Sequence, residues 1–342
     1  MVAHNIDNYG TRRYKSSEGN AAYFVPKEGH PYKRVEKTYE LSGHDHRVTM
    51  FLPEGAVDPS LNGSVAGFMA PDAVYNENAA AMAALGYPAF TFEPANKQSV
   101  LAFIRNPSHI TNPALFQSQA FGRAIKVAQD YTQAEHVNGI GHSYGGPILA
   151  EALAFQALVD EEEGLEPTIE FATFEATAAF DTENIAPNHI ADAPKMLGGE
   201  VWPLLKKYTG KDTPKDVLPK SFAHIKHLGR RTRELIYLLN TPDLHDNVQS
   251  AHEDGVVTSA LFHTGDAIFP DRRIRAAVTK RAIFNVVEFS EGTTHVDPNL
   301  RPEQNAKLRV EMLEKMKAYK LTQRIIEAET EAKPSHLSVV RN

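Results

Sequence analysis

The sequence contains no cysteine among its 342 residues. This absence excludes a disulfide framework, a cysteine nucleophile and any metal site built on thiolate ligands. No apolar run is long enough to span a bilayer, and the N-terminus has no apolar segment of the kind that directs secretion. We therefore expect a cytoplasmic protein without a membrane span.

The chain also lacks an excess of positive charge, since its formal net charge is −7. This balance argues against general nucleic-acid binding. With 42% hydrophobic and 23% charged residues, the chain can bury a sizeable core as one large α/β domain with an inserted subdomain. His224 and His227 could share a helix face, but no third ligand is nearby, so we expect no metal site and no cofactor. Nothing in the sequence indicates the oligomeric state.

The chain is organised around residues 136–150, HVNGIGHSYGGPILA, with Ser143 at the centre. An extended run ends at Ile140, and an apolar helix follows the serine. Glycines on both sides of the serine allow the chain to turn sharply and to lie close to its neighbours. These glycines are Gly141, Gly145 and Gly146. Such a turn exposes the Ser143 hydroxyl at the start of a helix and directs the Tyr144 backbone N–H to where an oxyanion would form.

This G-x-S-x-G turn between a strand and a helix resembles the nucleophile elbow of the α/β-hydrolase superfamily. The resemblance implies an α/β fold with a mostly parallel central sheet, helices on both faces and an inserted helical cap. It also implies that an acid and a histidine follow the serine in that order. We place the core in residues 31–180 and 251–320, the cap in 181–250, an N-terminal extension of unknown role in 1–30 and a C-terminal tail in 321–342.

Periodicity predicts several elements of this fold. Apolar and polar residues alternate in KRVEKTYEL and HRVTMFLP, which is typical of an antiparallel hairpin. The near-continuous apolar run at residues 64–71 predicts a parallel strand covered on both faces. A terminal amphipathic helix is predicted from about Pro302 to Tyr319, followed by a frayed tail.

The candidate acid is Asp266, which lies just past the strand VTSALFHT and four residues before Pro270. The family commonly carries its acid at this place, although Gly265 and Asp266 together are also ordinary turn residues. The rival acids are Asp243, Asp246 and Asp271. His295 is the candidate base, because it follows the acid and lies between the strand IFNVVEF and the last helix.

The second donor of the oxyanion hole is harder to assign. The family usually has His-Gly after its third strand, whereas this chain has Phe-Met-Ala-Pro-Asp at residues 68–72. Pro71 has no N–H to donate. The donor is therefore Ala70 or Asp72, and we favour Ala70 because Asp72 is better placed to cap a helix or turn.

These residues favour a serine hydrolase that cleaves a carboxylic ester or thioester of a small or medium substrate through an acyl-enzyme on Ser143. A serine at this position argues against the dehalogenase and epoxide hydrolase branches of the family, which need a carboxylate there. The alternative is a non-catalytic or weakly catalytic protein that uses the same pocket to bind a ligand. The fold and the three side chains do not select the substrate.

The strongly basic residues 206–233 carry nine Lys or Arg side chains against two Asp. Charge runs usually form a solvated helical face. The sharper interpretation is that some of these cations surround the pocket mouth and attract a substrate with a negative end. The sequence leaves both open.

Overall fold

The computed structural model of the protein describes residues 12–15, 22–25, 29–41, 44–65, 67, 72–92, 113–163, 168–177, 200, 202–203, 244–269, 275–276, 278 and 283–331. Most of the predicted cap therefore lies outside the described residues, including Asp243, the His224 and His227 pair and the basic segment 206–233. The predicted oxyanion residue Ala70 and the rival acid Asp271 also lie outside them.

A sheet of ten strands forms the centre of the described part of the chain. The strands are β1 (Arg12–Lys15), β2 (Ala22–Val25), β3 (Tyr32–Leu41), β4 (His44–Pro53), β5 (Leu61–Val65), β6 (Ala89–Phe92), β7 (Val137–His142), β8 (Ile169–Glu175), β9 (Val257–His263) and β10 (Val286–Ser290). Their order across the sheet is β1-β2-β3-β4-β6-β5-β7-β8-β9-β10. Pairing is antiparallel from β1 to β6 and parallel from β6 to β10.

Helices cover both faces of this sheet. The helices are α1 (Asp72–Ala84), α2 (Pro113–Thr132), α3 (Gly145–Glu163), α4 (His245–Glu253), α5 (Asp297–Leu300) and α6 (Pro302–Glu331). One hydrophobic core lies between the sheet and α2, α3 and α4, and a second lies between the opposite face and α1 and α6. None of the helices in the described ranges combines the length and the apolar character that crossing a membrane requires.

Side chains that alternate along a strand point to opposite faces of the sheet and pack in the two cores. Met50 packs in the first core and its neighbour Phe51 packs in the second. The central strands β5, β7 and β9 are buried at every residue, as expected for parallel strands covered on both faces. Because the parallel strands end at the same edge of the sheet, the loops that follow β5, β7, β9 and β10 meet there.

The strand predicted at residues 64–71 begins earlier, since β5 spans Leu61–Val65. The sequence hides this start because Asn62 is polar yet buried. Its side chain donates to the carbonyl of Pro88 at 2.8 Å and accepts from Asn138 of β7 at 3.0 Å. Buried amides are tolerated where their hydrogen bonds are made inside the protein. The predicted start of the strand was therefore wrong, although a buried parallel strand is present; its predicted end at residue 71 lies outside the described residues.

Both ends of the chain contain more regular structure than the sequence indicated. Within the extension predicted at 1–30, β1 and β2 form a hairpin that joins β3 at the sheet edge. Strands of four residues are too short for an alternation to be recognised. At the other end α6 reaches Glu331 instead of stopping at Tyr319, because the charged residues beyond Tyr319 have high helix propensity and no Gly or Pro interrupts them.

Candidate active site

The turn between β7 and α3 holds Ser143 in a left-handed backbone conformation, with φ at 55°. A residue other than glycine rarely adopts this conformation, and such strain concentrates at functional sites. The backbone N–H of Ser143 donates to the carbonyl of Glu175 at 3.0 Å, and Thr177 donates its hydroxyl to the carbonyl of Ser143 at 3.2 Å. The neighbouring strand β8 and the residues after it therefore hold the strained turn in place.

Two glycines permit the close packing of this turn. A Cβ on Gly141 would lie 2.6 Å from the carbonyl oxygen of Gly145, and a Cβ on Gly146 would lie 1.4 Å from the hydroxyl of Thr177. Neither position accepts a side chain without movement of the backbone or of Thr177. The glycines recognised in the sequence thus have a steric reason in the structure.

Ser143, His295 and Asp266 form one continuous hydrogen-bonded chain. The Ser143 Oγ lies 2.9 Å from His295 Nε2, and His295 Nδ1 lies 2.9 Å from Asp266 Oδ2. The three residues lie on the loops that follow β7, β10 and β9, respectively. Asp266 and His295 are buried, whereas Ser143 is partly exposed. The structure therefore brings together the three side chains that the sequence singled out.

The second carboxylate oxygen of Asp266 has a structural role. Asp266 Oδ1 accepts the backbone N–H groups of Ile268 at 2.7 Å and Phe269 at 2.8 Å. The residue therefore forms a turn with Oδ1 and contacts the imidazole with Oδ2, so its place in a turn does not exclude a contact with His295. The rival Asp246 lies exposed in the first turn of α4.

The surroundings of His295 favour its protonated form. Burial by itself lowers the pKa of His295, but the charge of Asp266 and its hydrogen bond raise it, and Glu200 raises it further. The net effect is a pKa above the ordinary value of 6.5. When neutral, the ring donates Nδ1–H to Asp266 and keeps Nε2 free to accept the hydroxyl proton of Ser143.

A second hydrogen-bonded chain supports His295 from behind through His142. The backbone N–H of Gly67 donates to the Tyr75 hydroxyl at 2.5 Å, which lies 3.2 Å from His142 Nδ1. His142 Nε2 lies 3.0 Å from the backbone carbonyl of His295. Because that carbonyl only accepts, His142 donates from Nε2 and accepts the Tyr75 hydroxyl proton at Nδ1. Burial and the neighbouring His295 lower the pKa of His142 to about 3, so the ring stays neutral.

A buried ion pair lies beneath the turn. Arg309 of α6 donates from Nε at 2.9 Å and from Nη2 at 2.6 Å to Glu175 Oε2. His263 Nε2 lies 3.4 Å from the other oxygen of Glu175. Burial by itself raises the pKa of Glu175, but the charge of Arg309 and the contact with His263 bring it far below its ordinary value. Glu175 is thus a buried carboxylate whose backbone carbonyl also holds Ser143.

Sequence reasoning missed a second buried carboxylate, that of Glu200. It accepts backbone N–H groups from Ala267 at 3.0 Å, His295 at 3.4 Å and Val296 at 3.2 Å. Nothing in the local pattern around residues 200, 175 or 309 identified these partners, because each of them lies far away in the chain. The only available signal was a charged residue inside an apolar strand, at Glu175.

Of the two predicted oxyanion residues, the structure describes Tyr144, whereas Ala70 lies outside the described residues. Tyr144 follows Ser143 directly and is buried at the start of α3. Gly67, two residues past the end of β5, lies against the serine, since a Cβ on Gly67 would be 3.1 Å from Ser143 Cβ. Gly67 itself donates its N–H to Tyr75 and is engaged elsewhere.

Comparison with known proteins gives matches at the level of structure. No protein-family model and no curated protein matches the sequence. The N-acyl homoserine lactonase AidH is 12% identical with a TM-score of 0.55 and 83% of this chain and 97% of that chain covered. The α/β hydrolase GrgF from Penicillium sp. sh18 is 13% identical with a TM-score of 0.53 and coverages of 84% and 99%.

An epoxide hydrolase from Vigna radiata is 14% identical with a TM-score of 0.51, and 82% of this chain and 98% of that chain are covered. At such identities the likeness extends to the fold and leaves the chemistry open. The sheet, the helices on its two faces and the strand-turn-helix at Ser143 all agree with this likeness. The protein therefore has the α/β-hydrolase fold, which confirms the fold predicted from the sequence.

Proposed function

We propose that the protein is a serine hydrolase that cleaves a carboxylic ester or thioester of a small or medium substrate. The observation that carries this proposal is the continuous chain from Ser143 Oγ through His295 to Asp266, with 2.9 Å at each contact. These are hydrogen-bonding distances for a nucleophile, its base and the group that orients the base. The strained turn at Ser143 supports the same assignment.

In the proposed reaction Ser143 Oγ attacks the substrate carbonyl carbon while His295 Nε2 takes the hydroxyl proton. The tetrahedral intermediate then collapses, and the leaving alcohol or thiol takes that proton from His295. Water attacks the acyl-enzyme with His295 again as the base, and the acid product leaves Ser143. Asp266 stabilises the imidazolium that forms in each half of the reaction.

The oxyanion of each intermediate needs two donors. We propose the backbone N–H of Tyr144 as the first, because it follows the nucleophile at the N-terminus of α3. For the second donor, Ala70 stays our prediction from the sequence, with Asp72 as the alternative. Loss of one such donor typically lowers turnover about 10²- to 10³-fold.

A serine-directed fluorophosphonate tests the nucleophile without knowledge of the substrate. We expect one covalent adduct per chain, located on Ser143 by mass spectrometry and absent from the Ser143→Ala variant. The matched control is Ser118→Ala, which removes a buried hydroxyl of α2 that donates to the Leu115 carbonyl. This control should keep the adduct on Ser143. A folded wild-type protein that forms no adduct would favour the ligand-binding alternative.

The rate of this labelling should depend on pH through His295. The base accepts a proton only when it is neutral, so the rate rises with pH as the imidazolium loses its proton. Because the pKa of His295 is raised, we expect the midpoint of the rise above pH 6.5. The measurement is the labelling rate constant from about pH 5 to 9, with stability to unfolding checked at each pH. A midpoint at or below 6.5 would contradict the assignment of His295 as a base paired with charged Asp266.

A further inference from the structure

The carboxylate of Glu200 joins two loops that carry separate parts of the candidate site. Its Oε1 accepts the N–H of Ala267, the residue after Asp266, at 3.0 Å. The same oxygen accepts the N–H of His295 at 3.4 Å, and Oε2 accepts the N–H of Val296 at 3.2 Å. One side chain thus connects the backbone beside the acid to the backbone of the base.

Burial and charge both favour these contacts. Glu200 is 1% exposed, so water competes little for its carboxylate oxygens. Hydrogen bonds to an ionised carboxylate are roughly twice as strong as those between neutral groups. The distance between Asp266 and His295 therefore depends on Glu200 as well as on the direct contact between them.

Glu200 does not compete with Asp266 for the imidazole. Its oxygens contact the backbone nitrogens of His295 and Val296, whereas Asp266 Oδ2 contacts His295 Nδ1. Glu200 therefore acts on His295 through the main chain and through its charge. A substitution at Glu200 should change the position and basicity of His295 and leave its tautomer unchanged.

Glu200 also lies within residues 181–250, the segment predicted to be the cap. Two residues later Trp202, the only tryptophan of the chain, is 65% exposed. The Cα atoms of residues 200 and 202 are at most about 7 Å apart, from the dimensions of the backbone. The segment therefore passes from a buried contact with the site to the surface within two residues.

From these contacts we infer that Glu200 is a positioning residue, which holds the loop of Asp266 against the loop of His295 and anchors the described residues 200, 202 and 203 beside the site. This inference rests on the proposed function, because Asp266 and His295 matter to the reaction only if Ser143 is the nucleophile. It adds a residue that the serine, histidine and aspartate alone do not identify.

The test is Glu200→Gln, which keeps the size of the side chain and removes its charge. One oxygen of Gln can still accept a backbone N–H, but its NH₂ group faces a second donor and cannot accept. We expect the rate constant of Ser143 labelling by fluorophosphonate to fall about 10- to 100-fold, as a misplacement near 1 Å would cause. The pH midpoint of labelling should also decrease, because a negative charge near His295 is lost.

The fluorescence of Trp202 measures the anchoring role separately, because Trp202 is the only tryptophan of the chain. In Glu200→Gln the fluorescence anisotropy should fall, because Trp202 is no longer held near the loops through Glu200. The matched control is Glu288→Gln, which removes one carboxylate from β10 where it pairs with Lys315 at the surface. This control should leave the labelling rate, the pH midpoint and the anisotropy unchanged.

The outcomes separate the inference from the proposed function. If the folded wild type is not labelled, the proposed function fails whatever Glu200 does. If the wild type is labelled and Glu200→Gln matches it in rate and pH midpoint, the positioning role is overturned while the function stands. Should Glu200→Gln fail to fold, Glu200→Asp decides: we expect a wild-type pH midpoint with a reduced rate, and an unchanged rate would overturn the inference.

Discussion

The Asp266→Asn variant is expected to keep its fold and to lose about 10⁴-fold in the rate of Ser143 labelling and of ester turnover, as is typical when the orienting acid becomes an amide. The structure gives a specific reason. Asp266 Oδ1 accepts two backbone N–H groups, so the single oxygen of the amide must occupy that position. The NH₂ group then faces His295 Nδ1. Because an NH₂ group only donates, Nδ1 must accept and therefore carries no proton. The proton of the ring moves to Nε2, and the base can no longer take the proton of Ser143.

Labelling kinetics and thermal unfolding measured on the same preparations test this expectation. The control is Asp246→Asn on α4, since Asp246 is exposed in the structure and was a rival acid in the sequence. This variant should be labelled at the wild-type rate. If Asp266→Asn reacts as fast as the wild type while Asp246→Asn or Asp243→Asn does not, the acid has been assigned to the wrong loop.

The Arg309→Met variant is expected to lose about 3–5 kcal/mol of unfolding free energy, the usual effect of removing one partner of a buried ion pair. The guanidinium donates twice to Glu175, and both side chains are almost fully buried. Without Arg309 the carboxylate of Glu175 stays buried and loses the charge and the two hydrogen bonds that offset its desolvation. The loss is large because only close partners offset the free-energy cost of desolvating a charge.

Denaturant unfolding measures this loss, and two controls interpret it. Lys320→Met removes a cation from the same helix, where Lys320 pairs with Glu170 at a partly exposed site, and should change the unfolding free energy by less than about 1 kcal/mol. The double variant Arg309→Met with Glu175→Gln should recover most of the stability, because no unpaired charge is left. An equal loss in the single and double variants would show that packing, not charge, dominates at Arg309.

The sequence predicted the parts of this protein whose physical signals are local. The strand, the glycine-rich turn and the helix around Ser143 are adjacent in the chain, and steric limits on glycine mark the turn. The hairpin of β3 and β4 is likewise visible in its alternation. The positions of Asp266 and His295 followed from chain order within the resembled fold, and the structure places His295 beside Ser143 and Asp266 beside His295.

The parts that were missed depend on partners far away in the chain. No neighbouring residue in the sequence indicates that Glu175 contacts Arg309. Likewise, none indicates that Glu200 contacts the loops after β9 and β10. The start of β5 was missed because Asn62 is polar and its partner Asn138 belongs to another strand. Buried polar groups are stabilised by tertiary contacts, which no local pattern encodes. The cap at 181–250 and the cytoplasmic location stay predictions.

The ion pair between Glu175 of β8 and Arg309 of α6 joins residues that are synthesised at different times. Ser143 precedes its hydrogen-bond partner His295 in the chain, and Arg309, which pairs with Glu175, follows later still. Domains emerge from the ribosome N-terminus first, so Ser143 is synthesised 152 residues before His295, whose Nε2 lies 2.9 Å from its hydroxyl. The buried carboxylate of Glu175, whose backbone carbonyl accepts the N–H of Ser143, therefore gains its partner Arg309 only after α6 has been synthesised.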